Sequence, residues 1–168
     1  MIDLDTTKAV LFDLDGTLVD THIDFALMRQ EMINLAIERN VYDDSMPKMD
    51  ILAIVDSTAY KLSESGKKQQ AKEIRLLAMD ILEDIEMRHS QNAVEVPGAR
   101  KLLSYLKSNH IPIGIVTRNC LNASRLSMSV VGIESDVLIT REDTKKHKPL
   151  PDPVLIALKN SMLILNRL

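Results

Sequence analysis

Apolar positions change their rhythm several times along this chain. Lys8-Ala9-Val10-Leu11-Phe12 is a short, nearly continuous apolar run that stops at the polar turn Asp13-Leu14-Asp15-Gly16-Thr17, the pattern of a buried strand ending in a loop. From Ile23 to Asn40 the spacing becomes helical, with Phe25, Met28, Met32, Leu35 and Ala36 on one face. Ser45 ahead of Pro47 marks another helix start, followed by Ile51, Ile54 and Val55, and Gly66 closes that segment. Lys67 to His89 predicts a long helix whose stripe is Ile74, Leu77, Ile81 and Ile85. No strand pattern occurs between Asp20 and Gln91, so that stretch reads as all-helical.

The rhythm changes again at Val94-Glu95-Val96-Pro97-Gly98. A helix is predicted over Ala99–Ser108, a strand over Ile111–Val116 ending at Thr117, a helix over Leu121–Val131 and a strand over Asp136–Ile139. A loop with Lys145, Lys146 and Lys148 follows, and Pro151 or Asp152 begins a last helix. Strand–helix alternation at these lengths predicts an α/β fold with a parallel sheet and crossover helices. The expected organisation is a core of residues 1–19 and 95–168 interrupted by a helical insert over residues 20–94.

Composition narrows the class. At 168 residues, 45% hydrophobic and 27% charged, the chain resembles ordinary globular domains and not disordered or fibrous ones. No apolar run reaches the ~18 residues needed to span a bilayer, so no membrane partner is expected. The acidic start Met1-Ile2-Asp3-Leu4-Asp5 is the reverse of a secretory signal. One cysteine, Cys120, excludes an internal disulfide framework and fits a reducing, cytoplasmic compartment. Charge is uneven: residues 1–20 carry net -4, 21–96 net -5 and 97–168 net +6. The basic part is scattered among Pro and Asp, and aromatics are 3% with no Trp, which argues against nucleic acid as a partner.

Three segments carry candidate chemistry. Asp13 and Asp15 lie two apart just past a strand, so extended chain would aim both carboxylates the same way from its C-terminal end. Such a pair repels itself unless a cation or a shared proton intervenes, and oxygen ligands of this kind suit Mg²⁺. Gly16 permits a sharp exit, and Thr17 is placed to hydrogen-bond back onto the acids. An Asp-Gly turn that merely ends a strand has the same sequence. Val116-Thr117-Arg118-Asn119 puts a hydroxyl beside backbone N–H groups open to an anion, although Thr117 or Asn119 could equally cap the next helix. In Lys148-Pro149-Leu150-Pro151-Asp152-Pro153 the prolines fix one positive charge in a loop before a helix, which could also be a solvated lysine. In a parallel sheet all three segments meet on one edge, where two acids, a hydroxyl and a lysine make a site for a phosphoryl group.

With these residues in hand the chain resembles the haloacid dehalogenase (HAD) superfamily. The likeness is carried by Phe12-Asp13-Leu14-Asp15-Gly16-Thr17-Leu18-Val19-Asp20, Ile115-Val116-Thr117-Arg118-Asn119 and Lys148-Pro149-Leu150-Pro151-Asp152-Pro153. Within the superfamily it is most similar to phosphoglycolate phosphatase-like hydrolases. The resemblance implies a Rossmannoid parallel sheet with a helical cap inserted after the first strand, and hydrolysis of a small phosphorylated metabolite. It implies Asp13 as nucleophile forming an aspartyl-phosphate and Asp15 as general acid and then base. Mg²⁺ would sit on the Asp13 carboxylate and the Asp15 carbonyl, while Thr117, Arg118, Asn119 and Lys148 would hold phosphate oxygens. Phosphomutase chemistry on the same site is the nearest enzymatic alternative.

One part of the family pattern is missing. The superfamily carries a fourth, acidic loop after the next strand, and no Asp or Glu follows Asp152 here. The sheet is therefore expected to be truncated, with the Val10–Phe12 strand left as an open edge capable of self-association. The tail Asn160–Leu168 either patches that gap or continues the last helix. Impaired catalysis, or a non-catalytic phosphate- or partner-binding remnant, is the corresponding alternative function.

Overall fold

The computed structural model describes residues 6–165, with side-chain placement through Ser161. The acidic start Met1–Asp5, the residues Asn166–Leu168 and the side chains of the tail from Met162 onward lie outside the described residues. The chain divides into two units, residues 1–23 with 86–168 and residues 24–85. Of the two chain boundaries, the one between Ile85 and Glu86 falls inside a helix.

The first unit is built on β1 (Val10–Phe12), β4 (Ile113–Val116) and β5 (Val137–Ile139), which form a parallel sheet in the order β1-β4-β5. In register, Phe12 faces Ile115 and Val116 faces Ile139, so the three strands end together. β1 is an edge of the described sheet and is half-buried throughout, whereas all four residues of β4 are buried. Alternation along β4 sends its residues to two cores. Ile113 and Ile115 pack with Leu103 and Leu106 of α4 (Ala99–Ser108) and Met128 and Val131 of α5 (Leu121–Val131). Val116 packs with Val137, Ile139 and Ala157, the last from α6 (Asp152–Leu165). Of the two readings of the tail, the helix continues as far as Leu165.

The sequence missed one element of this unit. β2 (Val19–Asp20) and β3 (Val94–Glu95) form a short antiparallel ribbon that joins the two ends of the helical insert. Two residues per strand are too few for an alternating pattern to register.

The second unit contains α1 (Phe25–Glu38), α2 (Ile51–Glu64) and the greater part of α3 (Lys68–Ser90), with a 3-10 turn over Met46–Lys48. It is all-helical, as its periodicity predicts. Asp24 and Asp50 cap α1 and α2 by accepting from Leu27 N–H at 2.8 Å and Leu52 N–H at 3.1 Å. The buried faces differ in detail from the predicted ones. α1 buries Met28, Met32, Ile33, Leu35 and Ala36, while Phe25 is exposed. α3 buries Ala71, Ile74, Ala78, Leu82 and Ile85, and Leu77 is exposed. That stripe obeys the same three-four spacing but runs through two alanines, which a search for large apolar residues passes over.

At Gly114 the sheet leaves no room for a side chain. A Cβ there would stand 2.3 Å from Leu11 Cδ2. Leu11 is half-buried on an edge strand and can swing aside only by giving up packing, so Gly114→Ala is expected to cost about 1–3 kcal/mol. Urea denaturation reads this directly, and Leu11→Ala in the same chain should recover part of the loss. A neutral Gly114→Ala contradicts the close packing of β1 on β4.

Candidate functional site

The common edge of β1, β4 and β5 gathers most of the residues singled out in the sequence. Leu14 is fully buried, and its inward anchor turns Asp13 and Asp15 the other way. Gly16, at φ +75°, reverses the chain in a conformation that suits glycine, and its N–H donates to the Val19 carbonyl at 2.8 Å. Asp13 Oδ1 accepts from Leu14 N–H at 2.8 Å and from Lys148 Nζ at 2.6 Å. The same ammonium donates to the carbonyl of Val116, the last residue of β4, at 2.7 Å. One lysine in the loop before α6 thus ties together the ends of two neighbouring strands. Its Lys148–Pro149 peptide is cis. The Asp13 side chain remains 51% exposed, so its carboxylate stays reachable from solvent.

Asp15 is held differently. One carboxylate oxygen accepts from the Thr21 hydroxyl and the other from the Asn119 side-chain amide. Burial lifts its pKa above the ordinary value, the donors from Thr21 and Asn119 pull it down, and the nearby charge of Asp13 adds to the rise. The hydroxyl partner is a correction to the sequence reading. Thr17 is exposed, and its backbone N–H donates to Leu14 O at 3.3 Å, while Thr21 is 2% exposed and reaches the carboxylate. The sequence offers no signal for Thr21, because β2 places it and β2 was not legible.

The second segment is a closed turn. Thr117 N–H donates to Ile139 O at 2.9 Å, and Asn119 N–H, read from the sequence as open to an anion, donates to Thr117 Oγ1 at 3.1 Å. Thr117 and Asn119 are buried and Arg118 between them is exposed. Behind this turn lies a cluster the sequence reading missed. Glu86, in the last turns of α3, accepts from Arg141 Nη1 at 2.5 Å through one oxygen and from Cys120 N–H at 2.9 Å through the other. Burial pushes the Glu86 carboxyl up, and the Arg141 guanidinium draws it back down. A glutamate four residues after Leu82 on the buried stripe of α3 was the available signal. Burial, with Glu86 adding to it, pushes the Cys120 thiol up to about 12.

For a divalent cation the donor set is small. Among the described residues no group of three or more His, Cys, Asp or Glu side chains could hold a metal. Two aspartates are nonetheless what Mg²⁺ commonly takes from a protein, the remaining positions going to water and substrate phosphate. Both side-chain oxygens of Asp15 already accept hydrogen bonds. The groups that could hold the cation are therefore the Asp13 carboxylate and the Asp15 carbonyl.

Comparison with known proteins gives a consistent answer. A family model described as haloacid dehalogenase-like hydrolase matches residues 10–167. A haloacid dehalogenase-like hydrolase domain-containing protein of Arabidopsis thaliana is 30% identical over 148 residues, covering 88% of this chain and 55% of that protein. Hexitol phosphatase A of Escherichia coli is 29% identical over 154 residues, covering 89% of this chain and 66% of its own. The crystal structure of a HAD phosphatase from Thermococcus onnurineus matches with a TM-score of 0.53 at 22% identity, over 92% of this chain and 71% of that one, a likeness of fold. This chain spans between 55% and 66% of the length of the two curated relatives. Among the described residues no helix is long and apolar enough to cross a membrane.

Two outcomes are expected of this geometry. Thr21→Val removes a donor from a half-buried carboxylate and should lower stability at pH 7 by about 1–3 kcal/mol, with Thr21→Ser close to wild type in a urea melt. Cys120 should resist iodoacetamide at pH 8 in the native chain and react once guanidinium unfolds it. Native-state labelling at the rate of a free thiol contradicts its burial.

Proposed function

This chain belongs to the haloacid dehalogenase-like hydrolase family, and from that premise we propose that it is a Mg²⁺-dependent phosphomonoester phosphatase acting through an aspartyl-phosphate on Asp13. The observation that carries the reading is the Lys148–Asp13 contact of 2.6 Å, formed by residues 135 positions apart. It places a cation on a reachable carboxylate at the strand edge where α/β proteins bind ligands. The name of the Escherichia coli relative, hexitol phosphatase, supports a small phosphorylated metabolite as substrate.

Each residue has a role that follows from its surroundings. Asp13 attacks phosphorus through a carboxylate oxygen, and the ester oxygen leaves with the bonding electrons. Lys148, fixed on Asp13 Oδ1 and Val116 O, offsets the negative charge gathered as carboxylate and phosphate meet. Asp15, whose burial favours the protonated form, gives its proton to the departing alkoxide. In the second half it takes a proton from the water that attacks the aspartyl-phosphate, releasing inorganic phosphate and restoring Asp13. Thr117, Asn119 and Arg118 line the turn beside this centre and are the proposed holders of phosphate oxygens. Mg²⁺, when held by the Asp13 carboxylate and the Asp15 carbonyl, supplies positive charge for the phosphoryl oxygens.

Phosphate release from p-nitrophenyl phosphate tests the reading. Turnover is expected with Mg²⁺, to vanish with EDTA and to return on adding Mg²⁺. Asp13→Asn, nearly isosteric, should reduce it on the order of 10⁴-fold or more. Turnover by Asp13→Asn at the wild-type rate, or activity indifferent to EDTA, overturns the assignment.

A further inference from the structure

The Glu86–Arg141 pair is the most deeply buried charge in the described residues that the proposed chemistry does not use. Glu86 is 1% exposed and Arg141 is 7% exposed. Removing two charges from water is expensive and is recovered only when geometry and further hydrogen bonds are good. Here the further bonds all converge on one turn. Glu86 accepts the Cys120 N–H at 2.9 Å, and Arg141, through its own backbone N–H, donates to the Asn119 carbonyl at 3.1 Å. The peptide between Asn119 and Cys120 is therefore gripped on both sides, its carbonyl by Arg141 and its N–H by Glu86. The Asn119 side chain, whose direction that peptide sets, ends on Asp15. Asn119 N–H in turn fixes the Thr117 hydroxyl at 3.1 Å.

We propose that Glu86 and Arg141 are positioning residues: they lock the Asn119–Cys120 peptide so that the Asn119 amide meets Asp15 and Thr117 faces the phosphate. The inference rests on the phosphatase reading for its catalytic consequence. The pair touches no reacting atom, and its effect runs through Asn119. A purely structural pair would lower stability when broken and leave the alignment of the turn in surviving molecules unchanged. A positioning pair alters turnover in protein that is fully folded.

The test replaces the pair together, Glu86→Leu with Arg141→Met, so that no uncompensated charge is buried. Thermal melts verify the fold, kcat and KM are measured on p-nitrophenyl phosphate with Mg²⁺, and ¹H–¹⁵N spectra follow the Asn119 side-chain amide. The expected result is a folded protein whose kcat falls about tenfold to a hundredfold while KM stays within about threefold. The Asn119 amide signals should move, and Arg141→Lys, which keeps a cation on Glu86, should recover most of kcat. A folded double variant with wild-type kcat and unmoved Asn119 signals overturns the proposal. Hydrogen exchange in the wild-type chain decides independently of whether the variants fold: the Cys120 amide should exchange as slowly as those of β4, and rapid exchange overturns the lock. If the wild-type chain releases no phosphate, the phosphatase reading fails, while the Asn119 signals and Cys120 exchange still decide the alignment.

Discussion

Parallel pairing in register is the constraint on which the site depends. Phe12 faces Ile115 and Val116 faces Ile139, so Asp13, Thr117 and Thr140 are the first residues beyond three adjacent strand ends. No sequence-local force could bring Asp13 and Thr117 together across more than a hundred residues; the β1–β4 ladder does so with a short run of backbone pairings. The ladder holds because β4 is buried on both faces, with Ile113 and Ile115 in one core and Val116 in the other. Apolar burial thus sets the register, and the register sets which polar groups meet.

What meets there is a balance of charge that each partner needs. Asp13 and Asp15 lie two residues apart, and the charge of one raises the pKa of the other. The chain separates their circumstances: Asp13 keeps an exposed carboxylate with an ammonium against it, and Asp15 sinks among neutral donors. Two residues of one chemical type therefore acquire different surroundings from neighbours supplied by β2, the β4 turn and the loop before α6. Divergent environments around paired carboxylates are what the proposed division into a nucleophile and a proton carrier requires.

The legible and illegible parts of the sequence divide along physical lines. The helices over Ala99–Ser108 and Leu121–Val131 were written plainly, because periodic apolar residues reflect local geometry. Asp13 and Lys148 were legible too, since a strand end and a proline-fixed loop announce themselves within a few residues. Thr21 was not, because its role depends on a ribbon of two-residue strands whose pairing is non-local. Glu86 and Arg141 were passed over for a related reason. A charged residue on a buried helical stripe is intelligible only with its partner, and that partner lies 55 positions away. Leu77 and Phe25 misled in the opposite sense, as large apolar side chains outside the buried face.

Rigidity of the second turn gives these arrangements a common purpose. Four of its backbone groups are satisfied within the protein: Thr117 N–H by Ile139, Asn119 N–H by Thr117, Asn119 O by Arg141 and Cys120 N–H by Glu86. A turn tied at four points has already lost its conformational freedom on folding, so little ordering entropy is left to oppose ligand binding. In the structure the Thr117 and Asn119 N–H groups of the expected backbone cradle already have acceptors within the protein. The N–H of Asn119 donates to the Thr117 hydroxyl, the Asn119 amide ends on Asp15 and the Lys148 ammonium on Asp13, so the polar groups of the strand edge hold one another. In the proposed reading, recognition there relies on side chains held by the backbone, with the buried Glu86–Arg141 pair accepting the Cys120 N–H beneath them.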